Sequence, residues 1–202
     1  LAGNVTATGD INLSDNNGVV LTADTELDGD NVLVTSGVSG AFTLTLDGAT
    51  SADVQGAVTT QNLTTQTAAM VDSINIGGNL VTGGGTLTVD TASAVVGGTA
   101  DINSAVSVTN GSLSVTGTSA IGANVTTSGT QTYMAAATLD AGAAVNLTGT
   151  TVTFGNTLTG DSQNLTVTGN GTFTGAVSSV AALQVTGDAT TSSSVSATSV
   201  AF

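Results

Sequence analysis

The chain has 202 residues and a formal net charge of -14, because its charged side chains are 13 Asp and Glu26, with no Lys, Arg or His. A chain without basic side chains cannot neutralise phosphates, which excludes a nucleic-acid partner. It also lacks Cys, which excludes disulfides and thiolate metal sites. With no His, Cys or Lys to act as a base or a nucleophile, we expect that the protein is not an enzyme.

Short alternating segments recur along the chain in place of long helical patterns. Each places apolar and polar residues at alternate positions and ends at Gly or Asp, which is the pattern of a half-buried β-strand followed by a turn. No apolar run is long enough for a membrane helix, so we expect no membrane insertion. In chain order, the clearest segments are 44–48, 87–90, 113–117, 147–149, 165–169 and 183–187.

A period of about twenty residues relates these segments. Leu147, Leu165 and Leu183 are equally spaced, at an interval slightly shorter than the one from Asn124 to Asn146. Repeats of this length with short strands are typical of solenoid coils, whose strands pair in parallel with those of the next coil. The sequence therefore predicts an all-β fold, a parallel β-solenoid (β-helix) of about ten coils of roughly 20 residues, as a single domain over residues 1–202.

The two ends of the sequence continue the repeat when they are joined. Residues 199–202 followed by residues 1–9 resemble the internal segment 119–129, and Gln184 would precede Asn4 of a following copy by the same interval that separates Asn124 from Asn146. Solenoid ends normally carry polar caps, and we expect none here, so that the solenoid is open at both termini. We therefore predict copies of the same chain as partners, head to tail. The predicted end-to-end contact residues are Leu1, Val5, Ile11, Val195, Val200 and Phe202.

Four acidic residues, Asp24, Glu26, Asp28 and Asp30, occupy alternate positions. Alternation places them on one face of a strand, where their mutual repulsion favours a bound cation with oxygen ligands. These four residues are the candidate ligands for a calcium or magnesium ion, and a solvated acidic face is the other reading of the same pattern. The sequence indicates no cofactor other than this calcium.

Thr-x-Thr triplets raise a separate hypothesis, because a flat array of threonines on a solenoid can order water and bind ice. Such an array needs one triplet per coil in register. The sequence alone disfavours ice binding, because the triplets fall at irregular intervals. They begin at Thr6, Thr43, Thr86, Thr151, Thr157, Thr166 and Thr172.

In composition and in the spacing of residue types, residues 127–133 and 147–154 resemble the repeats of filamentous-haemagglutinin-like exoproteins and related adhesins of bacterial surfaces. The resemblance covers most of residues 110–202 and, more loosely, the rest of the chain. It implies a right-handed parallel β-helix with a role in adhesion or matrix building. The family's Asn-Pro-Asn-Leu motif and amino-terminal secretion domain do not occur in these residues, so the resemblance is to the repetitive shaft.

These observations together favour an extracellular structural protein. We expect a rod, or a fibre or sheath stacked end to end, at the bacterial cell surface or in the matrix. The alternative is a shaft segment of a large secreted adhesin that binds calcium or a glycan. In that case a glycan or a cell-surface receptor would be a further partner.

Overall fold

A computed structural model describes residues 1–15, 17–65, 73–76, 80–82, 87–89, 93–140 and 142–202. These residues form 23 strands and no helix. The first twelve strands are β1 Val5–Thr6, β2 Ile11–Leu13, β3 Val19–Val20, β4 Thr25–Val34, β5 Val38–Val54, β6 Val58–Thr65, β7 Ser73–Ile76, β8 Leu80–Thr82, β9 Leu87–Val89, β10 Ser93–Val96, β11 Ala100–Ile102 and β12 Val106–Val108. The others are β13 Ser112–Val115, β14 Ser119–Ile121, β15 Val125–Thr127, β16 Gln131–Tyr133, β17 Ala137–Leu139, β18 Val145–Phe154, β19 Leu158–Thr159, β20 Leu165–Phe173, β21 Val177–Val185, β22 Ala189–Thr191 and β23 Val195–Ala201.

The strands lie in three columns, and within a column each strand pairs in parallel with the strand of the next coil. The first column begins with β1, the second with β2 and the third with β3. Longer strands turn a corner and contribute to two columns: β4, for example, pairs with β1 through Leu27 and with β2 through Val32. This confirms the predicted all-β parallel solenoid.

The coils differ in length, which corrects the simple period read from the sequence. Leu183 pairs with Val200 and Leu63 pairs with Leu87, so the step from one coil to the next is clearly longer at Leu63 than at Leu183. The pairings of the second column run through ten successive coils, from β2 to β22, in agreement with the roughly ten coils expected.

Two of the predicted repeat spacings are confirmed and one is wrong. Leu165 pairs with Leu183, and Asn146 follows Asn124 by one coil, because the backbone N–H of Asn146 donates to the Asn124 side chain. Leu147, however, pairs with Val167 and not with Leu165. The register shift between Thr148 and Thr151 adds one residue to that coil and contributes to the change of partner.

The core is a narrow cylinder filled by the inward residues of each strand. Alternation sends one residue inward and the next outward, and the inward residues are mainly Val, Leu, Ile and Ala. Because a coil of about twenty residues leaves little room inside, small aliphatic side chains suffice to close it. Leu44, Leu147 and Val167, for example, have no exposed surface and lie in the first column.

Three aromatic rings stack inside the second column, one in each of three consecutive coils. The ring centroids of Tyr133 and Phe154 are 5.3 Å apart, and those of Phe154 and Phe173 are 5.5 Å apart. The planes of neighbouring rings differ by 17° and 12°. Stacked aromatic pairs contribute beyond their buried area, so this aromatic stack ties three coils together from the inside.

A buried polar group lies at one end of the aromatic stack. Gln131 Nε2 donates to the carbonyl oxygens of Thr148 at 2.8 Å and of Val125 at 3.0 Å, and the Tyr133 hydroxyl donates to Gln131 Oε1 at 3.0 Å. Burial raises the pKa of Tyr133, which keeps this hydroxyl protonated and able to donate. Gln131 lies in the second column, and the two carbonyl groups that it contacts belong to strands of the first column. These hydrogen bonds therefore fix the register of this coil.

Replacing the central ring of the aromatic stack, Phe154→Ala, should lower the free energy of unfolding by about 3–5 kcal/mol, because a cavity opens between two buried rings. Thr157→Ala, at an exposed position just after the strand, is the control and should change little. Urea unfolding measures the loss. Because each coil contacts only its neighbours, hydrogen exchange should rise first in residues 131–133, 151–154 and 170–173. An even rise along the whole chain would contradict this view of the core.

Candidate functional site

The predicted acidic face lies on β4 and is oriented as its alternation requires. Thr25 and Leu27 point inward and are buried, whereas Glu26 and Asp28 point outward. Asp24, just before the strand, and Asp30, beside a register shift, are exposed or half-buried at the surface. The placement of Glu26 and Asp28 on one outward strand face is therefore confirmed.

Two of these carboxylates bond to a neighbouring coil. Asp24 Oδ1 accepts a hydrogen bond from the backbone N–H of Thr43 at 2.8 Å, one coil later. Glu26 Oε2 accepts from Asn4 Nδ2 at 2.8 Å, and the backbone N–H of Glu26 donates to Asn4 Oδ1 at 3.1 Å. These contacts join successive coils, which is a structural use of the acidic residues that the sequence did not reveal.

The four predicted metal ligands do not converge. Within the described ranges, no group of three or more acidic side chains is arranged to hold a metal ion. Alternate residues on a strand are separated by about 6.7 Å along the chain, so Asp24, Glu26, Asp28 and Asp30 spread along the face. The geometry therefore lends no support to the predicted calcium or magnesium site.

A fifth carboxylate, Asp47, completes the acidic face. It pairs in register with Asp28 of the preceding coil, so the two residues are neighbours on adjacent coils. Desolvation by burial raises the pKa of Asp47, and the charges of Asp28 and Glu26 raise it further. The acidic face is thus a place where like charges oppose stacking.

The predicted end-to-end contact residues divide between the two ends. Leu1 and Val5 lie at the first coil, and Val195, Val200 and Phe202 lie at the last. Leu1, Val200 and Phe202 are exposed, with 63% of Phe202 accessible to solvent, whereas Val5 and Val195 are half-buried. Ile11 is buried within the chain, because it packs in the second column in register with Val32. Its side chain is therefore not available for the contact predicted for it.

The register of the last coil corrects the tail-to-head spacing predicted from the sequence. Ala201 pairs with Gln184, so it occupies the position over Gln184 that the sequence assigned to Asn4 of a following copy. The segment Ser199–Ala201 also lies in the first column, whereas Ser119–Ile121, to which it was compared, lies in the third. The similarity of the two segments therefore does not reflect the same position in a coil.

Both end coils present strand edges that are paired on one side only among the described strands. At the first coil, β1 and β2 pair with β4, and β3 pairs with β5. At the last coil, β22 pairs with β20, and β23 pairs with β21. An unpaired strand edge carries free N–H and C=O groups and is a template for a further strand.

The first coil also has a shallow hollow of about 380 Å³, lined by residues between Leu1 and Val20. Leu1 is held in place here, because its amino group donates to the Val20 carbonyl at 2.6 Å and its carbonyl accepts from the N–H of Thr22 at 2.8 Å. Leu13, Val19 and Val20 give the hollow an apolar part. The hollow is therefore a surface on which an apolar side chain can dock.

No family model matches this chain, and comparisons with curated proteins and with solved structures found no match. In the part of the chain that the structure describes, no helix is long and apolar enough to cross a membrane.

Removing the charge of Asp47 should stabilise the protein at neutral pH. Like charges opposite each other on paired strands cost about 0.2–1 kcal/mol, and Asp47→Asn should recover a similar amount. The matched control is Asp101→Asn, because Asp101 pairs with Val81 and Ala120 on the adjacent coils and has no charged ladder neighbour. Thermal unfolding at several pH values measures the difference.

The sign of the pH dependence follows from the raised pKa of Asp47. The folded chain holds the Asp47 proton more tightly than the unfolded chain, whose carboxyl titrates near 3.8. The wild type therefore loses stability relative to Asp47→Asn as the pH rises above this value and through the folded pKa. Below it, the two proteins should be equally stable. A stability difference between the two proteins that becomes smaller towards neutral pH would contradict the raised pKa of Asp47.

Proposed function

We propose that the protein is an extracellular structural protein that forms a rod, and that rods join end to end into a fibre or sheath at the bacterial cell surface or in the matrix. The observation that carries the proposal is the pairing of the end coils. Their described strands are hydrogen-bonded on one side only, and a parallel strand from another coil fits the free side.

The distribution of charge supports contact between unlike ends. Eight of the 14 acidic side chains lie in residues 1–53, whereas Asp188 is the one acidic side chain after Asp161. Two first coils that met would bring their dense negative charge together, and opposing like charges repel. A first coil that meets a last coil avoids most of this repulsion. The proposed contact is therefore head to tail.

The apolar side chains at the two ends support the same arrangement. Phe202 and Val200 are exposed on the last coil, and the hollow beside Leu1 lies at the first coil. A partner that covers these exposed apolar side chains removes their surface from water, which stabilises the contact. A second copy supplies both the hollow and the strand edges.

The alternative is a shaft segment of a large secreted adhesin, in which the additional coils belong to the same chain. The resemblance to filamentous-haemagglutinin-like exoproteins supports this form. Calcium or a glycan would then be recognised by the adhesin. Melting the protein with and without a chelator separates a calcium-dependent module from a purely structural one, since a bound ion raises the stability of the folded chain.

The composition supports a location outside the cell and a non-catalytic role. A chain without Lys or Arg offers no cleavage site to trypsin-like proteases, and a chain without Cys cannot form wrong disulfides. The chain also has no His, Cys or Lys for catalysis.

The experiment that tests the proposal compares the wild type with a double variant, Val200→Asp and Phe202→Asp. Burial of an apolar side chain contributes about 1.5 kcal/mol or more, so charges at the last coil should raise the concentration at which rods join by about tenfold or more. Sedimentation velocity measures the association, and cryo-electron microscopy shows whether the particles are continuous filaments.

Met134→Asp is the matched control, because Met134 is also exposed but lies on the side of the solenoid, immediately after β16. It should leave the association unchanged. Wild-type protein that stays monomeric at every concentration would contradict self-stacking and favour the shaft alternative. Equal effects of the two substitutions would show that the contact is not at the ends.

A further inference from the structure

A row of hydroxyl side chains runs along the outer surface of the second column, one in each of five consecutive coils. The register pairs Ser114 with Thr132, Thr132 with Thr153, Thr153 with Thr172, and Thr172 with Thr190. The sequence intervals between these partners differ from coil to coil. Because coil length varies, the row looks irregular in the sequence although it is continuous in the structure.

The hydroxyls of this row are free to bind a ligand. Among the described residues, the side chains of Thr132, Thr153, Thr172 and Thr190 make no hydrogen bond within the chain. Thr132, Thr153 and Thr172 are half-buried by their neighbours, and Thr190 is exposed. Each therefore offers a hydroxyl group that has no partner within the described chain, from a position that the neighbouring coils restrict.

A second row adds width to the surface. Thr151 lies two residues before Thr153 in β18, and the exposed Thr130 immediately precedes β16 on the adjacent coil. In the following coil Asn170 pairs with Thr151, so the second row contains threonine on these two coils. We call the two rows together the threonine face; it consists of Ser114, Thr130, Thr132, Thr151, Thr153, Thr172 and Thr190.

The threonine face has a rigid backing. The next residues along the same strands are Tyr133, Phe154 and Phe173, which point inward and form the aromatic stack. The planes of their neighbouring rings are within 17° of each other, so the rings stack face to face behind the row. Stacked side-chain ladders stabilise flat sheets against the usual twist, so we expect this part of the surface to be flat.

The repeat of the threonine face limits the chemistry of its ligand. A small molecule is bound by a few different groups that converge in a concave pocket, whereas this face offers identical groups on a flat surface. A ligand that uses every coil must repeat at the same interval. Hydroxyls on adjacent coils are about 4.8 Å apart, and residues i and i+2 are about 6.7 Å apart.

Ordered water has a similar repeat. In a tetrahedral network with O–H···O distances of about 2.75 Å, second-neighbour oxygens are about 4.5 Å apart and the layers repeat at about 7.3 Å. The mismatch is about 0.3 Å per coil along the solenoid and about 0.6 Å between residues i and i+2 along a strand. Rotation of the hydroxyl groups can absorb mismatches of this size over a few coils. The methyl groups between the hydroxyls favour a surface that needs little further hydration.

We propose that the threonine face binds ice. This is a binding activity in addition to the structural role, and it does not require that rods join. Across the four coils from Ser114 to Thr172 the face carries no carboxylate, and this part presents a neutral surface on a chain that is otherwise strongly acidic. The exposed Asp188, two residues before Thr190, borders its last coil. The competing occupant is a second copy packed side by side, and the test distinguishes it.

The test measures inhibition of ice recrystallisation and thermal hysteresis with the wild type and with Thr153→Tyr. A tyrosine at the centre of the threonine face interrupts its flatness and should abolish both activities. Thr138→Tyr is the matched control: Thr138 is an exposed strand residue in the third column, whose ladder neighbours are Ala120 and Thr159. It should keep full activity.

Two further measurements keep the proposal falsifiable. The triple variant Thr132→Ser, Thr153→Ser and Thr172→Ser keeps the hydroxyls and the fold, and loss of its activity at an unchanged circular dichroism spectrum would support binding through the methyl groups as well. Wild-type protein that is inactive, or equal activity of Thr153→Tyr and Thr138→Tyr, would overturn the proposal. Side-by-side dimers that Thr153→Tyr disrupts, seen by sedimentation without any ice activity, would assign the face to a second copy.

Discussion

The fold depends on one interaction, the parallel backbone hydrogen bond between one coil and the next. Val38 N–H donates to the Ala57 carbonyl at 2.8 Å, and Gly117 N–H donates to the Gly98 carbonyl at 3.0 Å. Bonds of this kind run along all three columns, so a residue is placed over another residue about twenty positions away. Proline, which lacks the donor, does not occur in the chain. Among the described strands, the same interaction leaves those of the first and last coils paired on one side only.

Stacking by register makes each side chain a neighbour of its counterpart, and the consequences differ with chemistry. Apolar residues gain from it, as Leu147 over Val167 and Tyr133 beside Phe154 illustrate. Hydroxyl residues form the threonine face. Carboxylates are destabilised by this stacking, because Asp47 lies next to Asp28 of the adjacent coil and the two negative charges repel. The stability of a chain that stacks in this way therefore depends mainly on where its charged residues lie along the coils.

Alternation within a strand could be predicted from the sequence, and register between strands could not. The outward orientation of Glu26 and Asp28 follows from the period of two in β4, which is a local property. Register depends on the residues inserted at corners, such as those between Thr148 and Thr151. A change of one or two residues there moves every later partner. For this reason the pairing of Asp47 with Asp28 could not be predicted from the sequence. The predicted spacing also placed Asn4 of a following copy where Ala201 lies. The intervals between the threonines looked irregular for the same reason.

The first coils of the solenoid and the later ones therefore have different surfaces for a physical reason. Residues 1–53 carry eight of the 14 acidic side chains, and their repulsion keeps these coils hydrated and separate from other acidic surfaces. The aromatic stack and the threonine face occupy coils where carboxylates are few. A neutral, flat surface can approach an ordered layer of water or a second rod only where charge does not hold it off. The concentration of charge in the first coils thus leaves the later coils with the neutral surface on which the proposed binding depends.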